Sequence, residues 1–182
     1  MTPFSEYDNR NEYRRLIAGR MASWRVAYKE TELFICADSV MERAALDAVV
    51  ALRHELDAYI ARHPAFKDSL VPLDPLPGAP AVAVDMCRAS RAAGVGPMAA
   101  VAGAFSAHVG RKILKYSREV IVENGGDIFM KADAARTVAI YAGGSPLSMK
   151  LGLEIQPGPV SICTSSGTVG PSLSFGRADA AV

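Results

Sequence analysis

The sequence predicts an α+β fold in which a mainly antiparallel sheet packs against several helices. Strand-like and helix-like segments occur in runs rather than in strict alternation, which favours α+β over a doubly wound parallel sheet. Half of the 182 residues are hydrophobic and 21% are charged, a composition typical of globular proteins. A chain of this length buries roughly 70% of its unfolded surface. We therefore expect it to fold without a disulfide or a structural metal.

The first part of the chain is predicted to form a hairpin followed by a long helix. "SWRVAYK" alternates apolar and polar residues, as a half-buried strand does, and "ELFICA" follows it after a short polar turn. Ser39 is expected to open the helix, with Glu42 completing a capping box. Apolar residues then recur every three or four positions. His63-Pro64 ends the helix, because the residue before a proline is disfavoured in helical conformation.

A proline-rich loop, residues 71–80, separates this hairpin-plus-helix unit (residues 1–70) from the remainder. Pro80 can occupy the first turn of a helix, which Gly94 would then end. Gly94-x-Gly96-x-x-Ala99 matches the spacing of a dinucleotide fingerprint, but that motif requires a preceding strand. Since a predicted helix precedes it here, we interpret the glycines as a helix–helix corner.

Residues 81–182 should contain, after a second helix that Pro97 opens, a run of strands joined by glycine turns. The strand-like segments are "EVIVE", "DIFM", "TVAIYA", "LGLEI" and "VSICT", each bounded by Gly, Pro, Asn or Ser. We expect residues 1–182 to form a single domain. The apolar ending "FGRADAAV" shows no terminating signal, so we also expect the domain to be incomplete at its C-terminus.

Charge and cysteine content argue against several classes of protein. The formal net charge of +1 gives no general electrostatic reason to bind nucleic acid. The N-terminus lacks the apolar stretch of a signal peptide, and no window approaches the roughly 20 apolar residues of a membrane helix. We expect a cytoplasmic protein with no nucleic-acid and no membrane partner. Its cysteines, Cys36, Cys87 and Cys163, lack paired spacing and are predicted to be reduced thiols in the core.

Two glycine-containing segments are candidates for a ligand site, and the first is Asn124-Gly125-Gly126-Asp127. Asn-Gly between apolar runs is a strong type I′ hairpin signal, which leaves Gly126 and Asp127 unexplained. Two consecutive glycines remove every Cβ from a stretch of backbone and permit close approach of a planar or phosphorylated group. A structural turn and a ligand loop both remain open.

The second candidate is the run Thr164, Ser165, Ser166, Gly167 and Thr168, which follows the strand ending in Cys163. Hydroxyls and backbone N–H groups around a glycine can form an anion-binding concavity. A polar surface loop would have the same composition. We predict that this run and the glycine turn line one pocket, because each is a ligand-type loop at a strand terminus.

The order of these pieces between Gly94 and Asp179 resembles the ApbE superfamily of flavin transferases. It looks more like a related, uncharacterised prokaryotic family that carries a GGDI-type turn, a CTSSGT-type loop and "SLSFGRAD". The resemblance implies an ApbE-like fold with a flavin- or nucleotide-type pocket between the turn and the loop. It also implies FAD or FMN as the ligand and magnesium as the metal. Carried across, the matching positions would be Gly125, Gly126 and Asp127 in the turn and Thr164, Ser166 and Gly167 in the loop, with Ser165 an extra residue.

The sequence departs from the transferase pattern at three places. The helix that carries a lysine-glycine-tyrosine element in the transferases reads "AAVAGAF" here, so Gly103 is retained while Ala102 stands where the lysine would be. No histidine follows the second loop. Asp179 lacks the threonine that completes the transferases' metal element.

These departures leave three functions open. The first is an ApbE-related protein with a flavin or nucleotide pocket and no assigned reaction. The second is a divergent magnesium-dependent FMN transferase, and the third is a non-enzymatic assembly or regulatory module. No catalytic residue is identified from the sequence, and neither the protein partners nor the oligomeric state can be predicted.

Overall fold

A computed structural model of the protein describes residues 21–140, 146–166 and 179–181. The strands are β1 (Ala22–Tyr28), β2 (Thr31–Ala37), β3 (Val120–Asn124), β4 (Asp127–Ala132), β5 (Arg136–Ala139), β6 (Gly152–Ile155), β7 (Gly158–Ile162), β8 (Thr164–Ser166) and β9 (Asp179–Ala181). Five of them form one sheet in the order β1-β2-β3-β4-β7, and all neighbours in it are antiparallel. Two smaller antiparallel pairs join β5 to β6 and β8 to β9.

The helices are α1 (Glu42–Arg62), α2 (Ala65–Asp68), α3 (Ala81–Ala93), a 3₁₀ helix (Pro97–Ala100) and α4 (Val101–Ile113). A five-stranded antiparallel sheet with several helices confirms the predicted α+β class. Within the ranges described above, no single helix is long and apolar enough to cross a bilayer. Taken together, α3 and the segment 97–113 are long and apolar enough, but the two are bent by 107° relative to each other.

The predicted capping box at the start of α1 is wrong. The helix begins at Glu42 after Met41, and no side chain caps it. The preceding residues are held elsewhere: the Asp38 N–H donates to Ser117 Oγ at 3.0 Å, and the Asp38 carboxylate accepts the Arg118 N–H at 2.8 Å. These bonds tie the end of β2 to the segment before β3, and the helix starts only after them.

The corner between α3 and the 3₁₀ helix confirms the structural interpretation of its glycines. Gly94 ends α3 in the left-handed conformation with φ +72°, which glycine adopts without steric cost. Gly96 packs directly against the backbone, since a Cβ at this position would lie 1.7 Å from the Ser69 carbonyl oxygen. Turn geometry and close packing therefore account for both residues.

The two faces of the five-stranded sheet are covered differently. On one face Val122 and Phe129 pack with Val49 of α1 and Val109 of α4. The opposite face is covered in part by the β5–β6 pair, where Val138 joins a cluster of buried residues. A third cluster fills the space between the helices. Side chains alternate between the two faces, as the pleat of a sheet requires.

Burial differs among the three cysteines. Cys36 and Cys87 are buried, as expected, whereas Cys163 is exposed, so its predicted place in the core is wrong. Cys163 follows β7, which is an edge strand of the five-stranded sheet in the described part of the chain. Burial raises the pKa of the Cys36 thiol to about 12, and the Arg136 guanidinium opposes this effect.

A close approach at Gly110 fixes α4 against the sheet. A Cβ at Gly110 would lie 2.2 Å from Cδ1 of Phe129 on β4, so the absence of a side chain lets the helix sit directly on the ring. This contact sets the position of α4 over β3 and β4. The first turn of α4 consequently lies beside the turn that joins these two strands.

Candidate functional site

The turn between β3 and β4 uses both glycines as its central residues. Asn124 and Asp127 form the last strand pair, and Gly125 and Gly126 between them have φ values of +62° and +106°. Two-residue type I′ loops require positive φ at both central positions. The predicted Asn124-Gly125 turn is therefore displaced by one residue, and the second glycine is part of the turn rather than left over.

Hydrogen bonds attach this turn to α4. The Asn124 side-chain amide donates to the Ala102 carbonyl oxygen at 3.1 Å, which explains why Asn124 ends the strand instead of entering the turn. The buried Ser106 hydroxyl lies 3.1 Å from both the Asp127 and the Ala102 carbonyl oxygens. One strand end and the first turns of one helix are thus held together by two short side chains.

The carboxylate of Asp127 lies over the backbone of α4. A Cβ added at Gly103 would meet Asp127 Oδ2 at 3.7 Å, an ordinary van der Waals distance. Gly103 is in the first turn of a helix of 13 residues, where the helix dipole favours negative charge. Asp127 is half-buried. The structure therefore places an acid, an open helix backbone and a glycine turn together.

The second candidate segment starts at the same end of the sheet. Ile128 of β4 pairs with Ile162 of β7. Because the two strands are antiparallel, Asp127, which precedes Ile128, and Cys163, which follows Ile162, lie next to each other at this end of the sheet. Partial burial raises the pKa of the Cys163 thiol, and the nearby Asp127 charge raises it further. From Cys163 the chain continues directly into β8.

The β8 strand contains three of the predicted ligand residues, Thr164, Ser165 and Ser166. Its backbone pairs with β9, and Ser166 is in register with Asp179. Gly167 and Thr168 lie outside the described residues. The structure thus brings the glycine turn and the start of the second segment to one end of the sheet, while their shared pocket stays a prediction.

Two polar residues at this end were not selected from the sequence. Ser106 has 0% and Glu123 has 5% of its surface exposed, and both bond to the turn. The sequence did offer a signal for each residue. Ser106 is a polar residue within the apolar stripe of a helix, and Glu123 is an acid at the end of a β-branched run. Their importance depends on which backbone groups the fold brings within reach, and spacing alone does not reveal this.

Metal-binding clusters were sought among the residues that the structure describes. Among residues 21–140, 146–166 and 179–181, no three His, Cys, Asp or Glu residues come close enough together to hold a metal ion. The magnesium ion that the resemblance implies stays a prediction.

Fold and site together define an α+β protein in which a glycine turn is docked on a helix at one end of an antiparallel sheet. The sequence matches the protein family described as "AbpE bacteria" over residues 14–182, and the chain belongs to that family.

Several curated proteins from other organisms are similar to this chain. The UPF0280 protein of Methanocella arvoryzae is 45% identical over 157 residues, which cover 85% of this chain and 64% of the relative. UPF0280 protein MK0206 of Methanopyrus kandleri is 46% identical over 162 residues, or 88% of this chain and 66% of the relative. The UPF0280 protein of Methanosphaerula palustris is 44% identical, with 84% and 66% covered. The chain thus spans slightly less than two thirds of the length of these relatives.

Proposed function

We propose that this chain binds a flavin or a nucleotide at the end of the sheet where β3, β4, β7 and α4 meet. The observation that carries the proposal is the position of the Asp127 carboxylate, next to the open backbone of Gly103 and to the start of the Thr164–Thr168 segment. An acid beside side-chain-free backbone offers both a hydrogen-bond acceptor and room for a planar group.

Each part of the site has a role in this proposal. Gly125 and Gly126 present backbone without a Cβ at the sheet end, so a flat ring can approach the main chain closely. The Asp127 carboxylate accepts a hydrogen bond from a ring N–H or a ribose hydroxyl. Thr164–Thr168 supply hydroxyl and backbone N–H donors to a phosphate. FAD and FMN combine a planar ring, a hydroxylated chain and phosphate, and both match this set of donors and acceptors.

A divergent FMN transferase is a second candidate, and one feature favours it. The β8–β9 pairing puts the backbone of Asp179 in register with Ser166, so the acid that matches the transferases' metal element is beside the proposed phosphate segment. Against it, Ala102 occupies the position of their lysine. Its carbonyl oxygen accepts a hydrogen bond from Asn124.

A non-enzymatic assembly or regulatory module is the third candidate. The feature that favours it is the turn itself, because positive φ at both Gly125 and Gly126 already accounts for the glycine pair. The two glycines would then serve hairpin geometry alone. Ligand binding decides between this candidate and the first.

The proposal is tested by titrating the purified chain with FAD and with FMN, using flavin fluorescence as the readout. We predict that Asp127→Ala weakens binding about tenfold or more, since the lost hydrogen bond to a charged group contributes roughly 1.5–3 kcal/mol. The matched control is Asp133→Ala. Asp133 is an exposed acid just beyond the far end of the same strand, where it pairs with Lys131. Equal affinities in the two variants, or no binding by the unmodified chain, would contradict the proposal.

A further inference from the structure

We infer that Glu123 is a positioning residue that fixes the glycine turn, and through it Asp127, in the geometry needed for the ligand. This inference rests on the proposed function for its ligand, but its structural half can be measured separately. Glu123 Oε1 accepts the N–H of Gly126 at 3.0 Å. This hydrogen bond joins Glu123, near the end of β3, to Gly126 in the turn, and Gly126 immediately precedes Asp127.

The surroundings of Glu123 make this bond unusual for an acid. The side chain has 5% of its surface exposed, and its neighbours in register on the adjoining strands are Phe34 and Ile128. Both neighbours are buried apolar residues. Burying a carboxylate among apolar groups is costly unless hydrogen bonds compensate for the lost water. The bond from the Gly126 N–H contributes to this compensation.

The turn is held from both faces of the sheet. Val122 packs in the cluster that faces the helices, whereas Ile121 packs in the cluster on the opposite face. Alternation along β3 therefore puts Glu123 on the face away from the helices. Asn124 and Ser106 hold the turn from the helix side through Ala102 and Asp127.

Holding Gly126 has a direct consequence for Asp127. Gly126 has φ +106°, and a glycine without fixed contacts can reach many other backbone conformations at small cost. Rotation about this residue would redirect the peptide that leads into Asp127. Glu123 selects one of these conformations by binding the N–H group, so the carboxylate of Asp127 is oriented before the ligand arrives. Such preorganisation increases affinity because less ordering is needed on binding.

Two substitutions separate positioning from packing. Glu123→Gln keeps an oxygen acceptor at the same reach, whereas Glu123→Leu keeps the approximate size and removes the acceptor. Two readouts are measured on each variant: hydrogen exchange at the Gly126 amide, referred to the Val122 amide of the same strand, and affinity for FAD. The Val122 reference removes any effect of lowered global stability.

We expect Glu123→Leu to accelerate exchange at Gly126 relative to Val122 by about tenfold and to weaken FAD binding to a similar degree, as for loss of one hydrogen bond to a charged group. Glu123→Gln should stay within about threefold of the unmodified chain in both measurements. Unchanged exchange at Gly126 in Glu123→Leu would overturn the inference, and so would faster exchange with unchanged affinity. If the unmodified chain binds no FAD, the proposed function fails, and the ligand half of the inference fails with it. The exchange data then decide independently whether Glu123 sets the turn.

Discussion

At the scale of single residues, the glycine turn is the feature with the clearest energetic consequence. Gly126 has φ +106°, a conformation that side-chain-bearing L-residues rarely adopt. We predict that Gly126→Ala lowers the free energy of unfolding by roughly 1–2 kcal/mol, the cost of placing a Cβ in a left-handed backbone conformation. Urea denaturation without any ligand measures this change.

The control for this prediction is Gly125→Asn. Gly125 has φ +62°, and a Cβ there would meet no atom within 4 Å. Asparagine tolerates the left-handed region better than other non-glycine residues, so this variant should lose less stability than Gly126→Ala. An alanine variant as stable as the unmodified chain would show that Gly126 does not hold the conformation described here.

Thiol chemistry provides a second prediction at residue scale. Thiolates, not thiols, react with iodoacetamide, and burial raises the pKa of the Cys36 thiol to about 12 and also raises that of Cys87. We predict that exposed Cys163 is labelled first among these three cysteines. Its labelling rate should increase with pH, because partial burial and the Asp127 charge also raise its pKa.

Asp127→Asn should increase the labelling rate of Cys163 at a fixed pH, because removing the negative charge lowers the thiol pKa. Saturating FAD should decrease the rate if the ligand covers Asp127. Mass spectrometry of peptides after timed labelling measures both effects. A rate that is unaffected by Asp127→Asn would contradict the proximity of these two side chains.

At the scale of elements, the contact between α4 and β4 controls where the site forms. A Cβ at Gly110 would lie 2.2 Å from Cδ1 and 2.7 Å from Cε1 of Phe129. We predict that Gly110→Ala lowers the free energy of unfolding by about 1–3 kcal/mol, since overpacking forces the ring or the helix to move. Thermal or urea denaturation measures the loss.

Gly103→Ala is the matched control, because it lies in the same helix and its Cβ would meet only an ordinary contact at 3.7 Å from Asp127 Oδ2. Helix propensity alone favours alanine over glycine by about 1 kcal/mol. The control should therefore be as stable as the unmodified chain or more stable. A stabilising effect of Gly110→Ala would mean that α4 does not approach the sheet as closely as described.

Sequence patterns predicted most elements of this fold but not their contacts. Apolar residues alternate in β1 and recur every three or four positions in α1, because one side of each element is buried. Such a pattern is visible in the local sequence. The capping box failed because Asp38 and its partners Ser117 and Arg118 lie about 80 positions apart in the chain. The turn was displaced by one residue because Asn124 bonds to Ala102 of α4. Both errors come from tertiary contacts that no local window contains.

At the scale of the whole molecule, the candidate site was predicted in its parts rather than as an assembly. The glycine turn and the Thr164–Thr168 segment were evident from composition, and the β4–β7 register puts Asp127 beside Cys163 at the start of that segment. Ser106 was missed because its role depends on a helix and a strand meeting. Glu123 was missed because its bond to the Gly126 N–H depends on the geometry of the turn.

We predict that this chain does not transfer FMN from FAD to a threonine peptide, with or without magnesium. Cleaving a pyrophosphate requires stabilisation of the charge on phosphate oxygens by a metal ion and cationic groups. If the resemblance to the transferases holds, Ala102 stands at the position of their lysine; its carbonyl oxygen is bonded to Asn124. Mass spectrometry of the peptide after incubation measures transfer, and an established flavin transferase serves as the positive control. Modified peptide formed by this chain would favour the transferase candidate.

An NMR titration with FAD shows whether a flavin or nucleotide binds where the glycine turn meets α4. FAD is added to the ¹⁵N-labelled chain, and amide shifts are followed across the sheet and the helices. We expect saturable shifts concentrated at Gly103, Gly125–Asp127 and Cys163–Ser166, with little change around Asp133 at the far end of β4. Saturable shifts at the far end, or no shifts at a large excess of FAD, would rule out binding at this site.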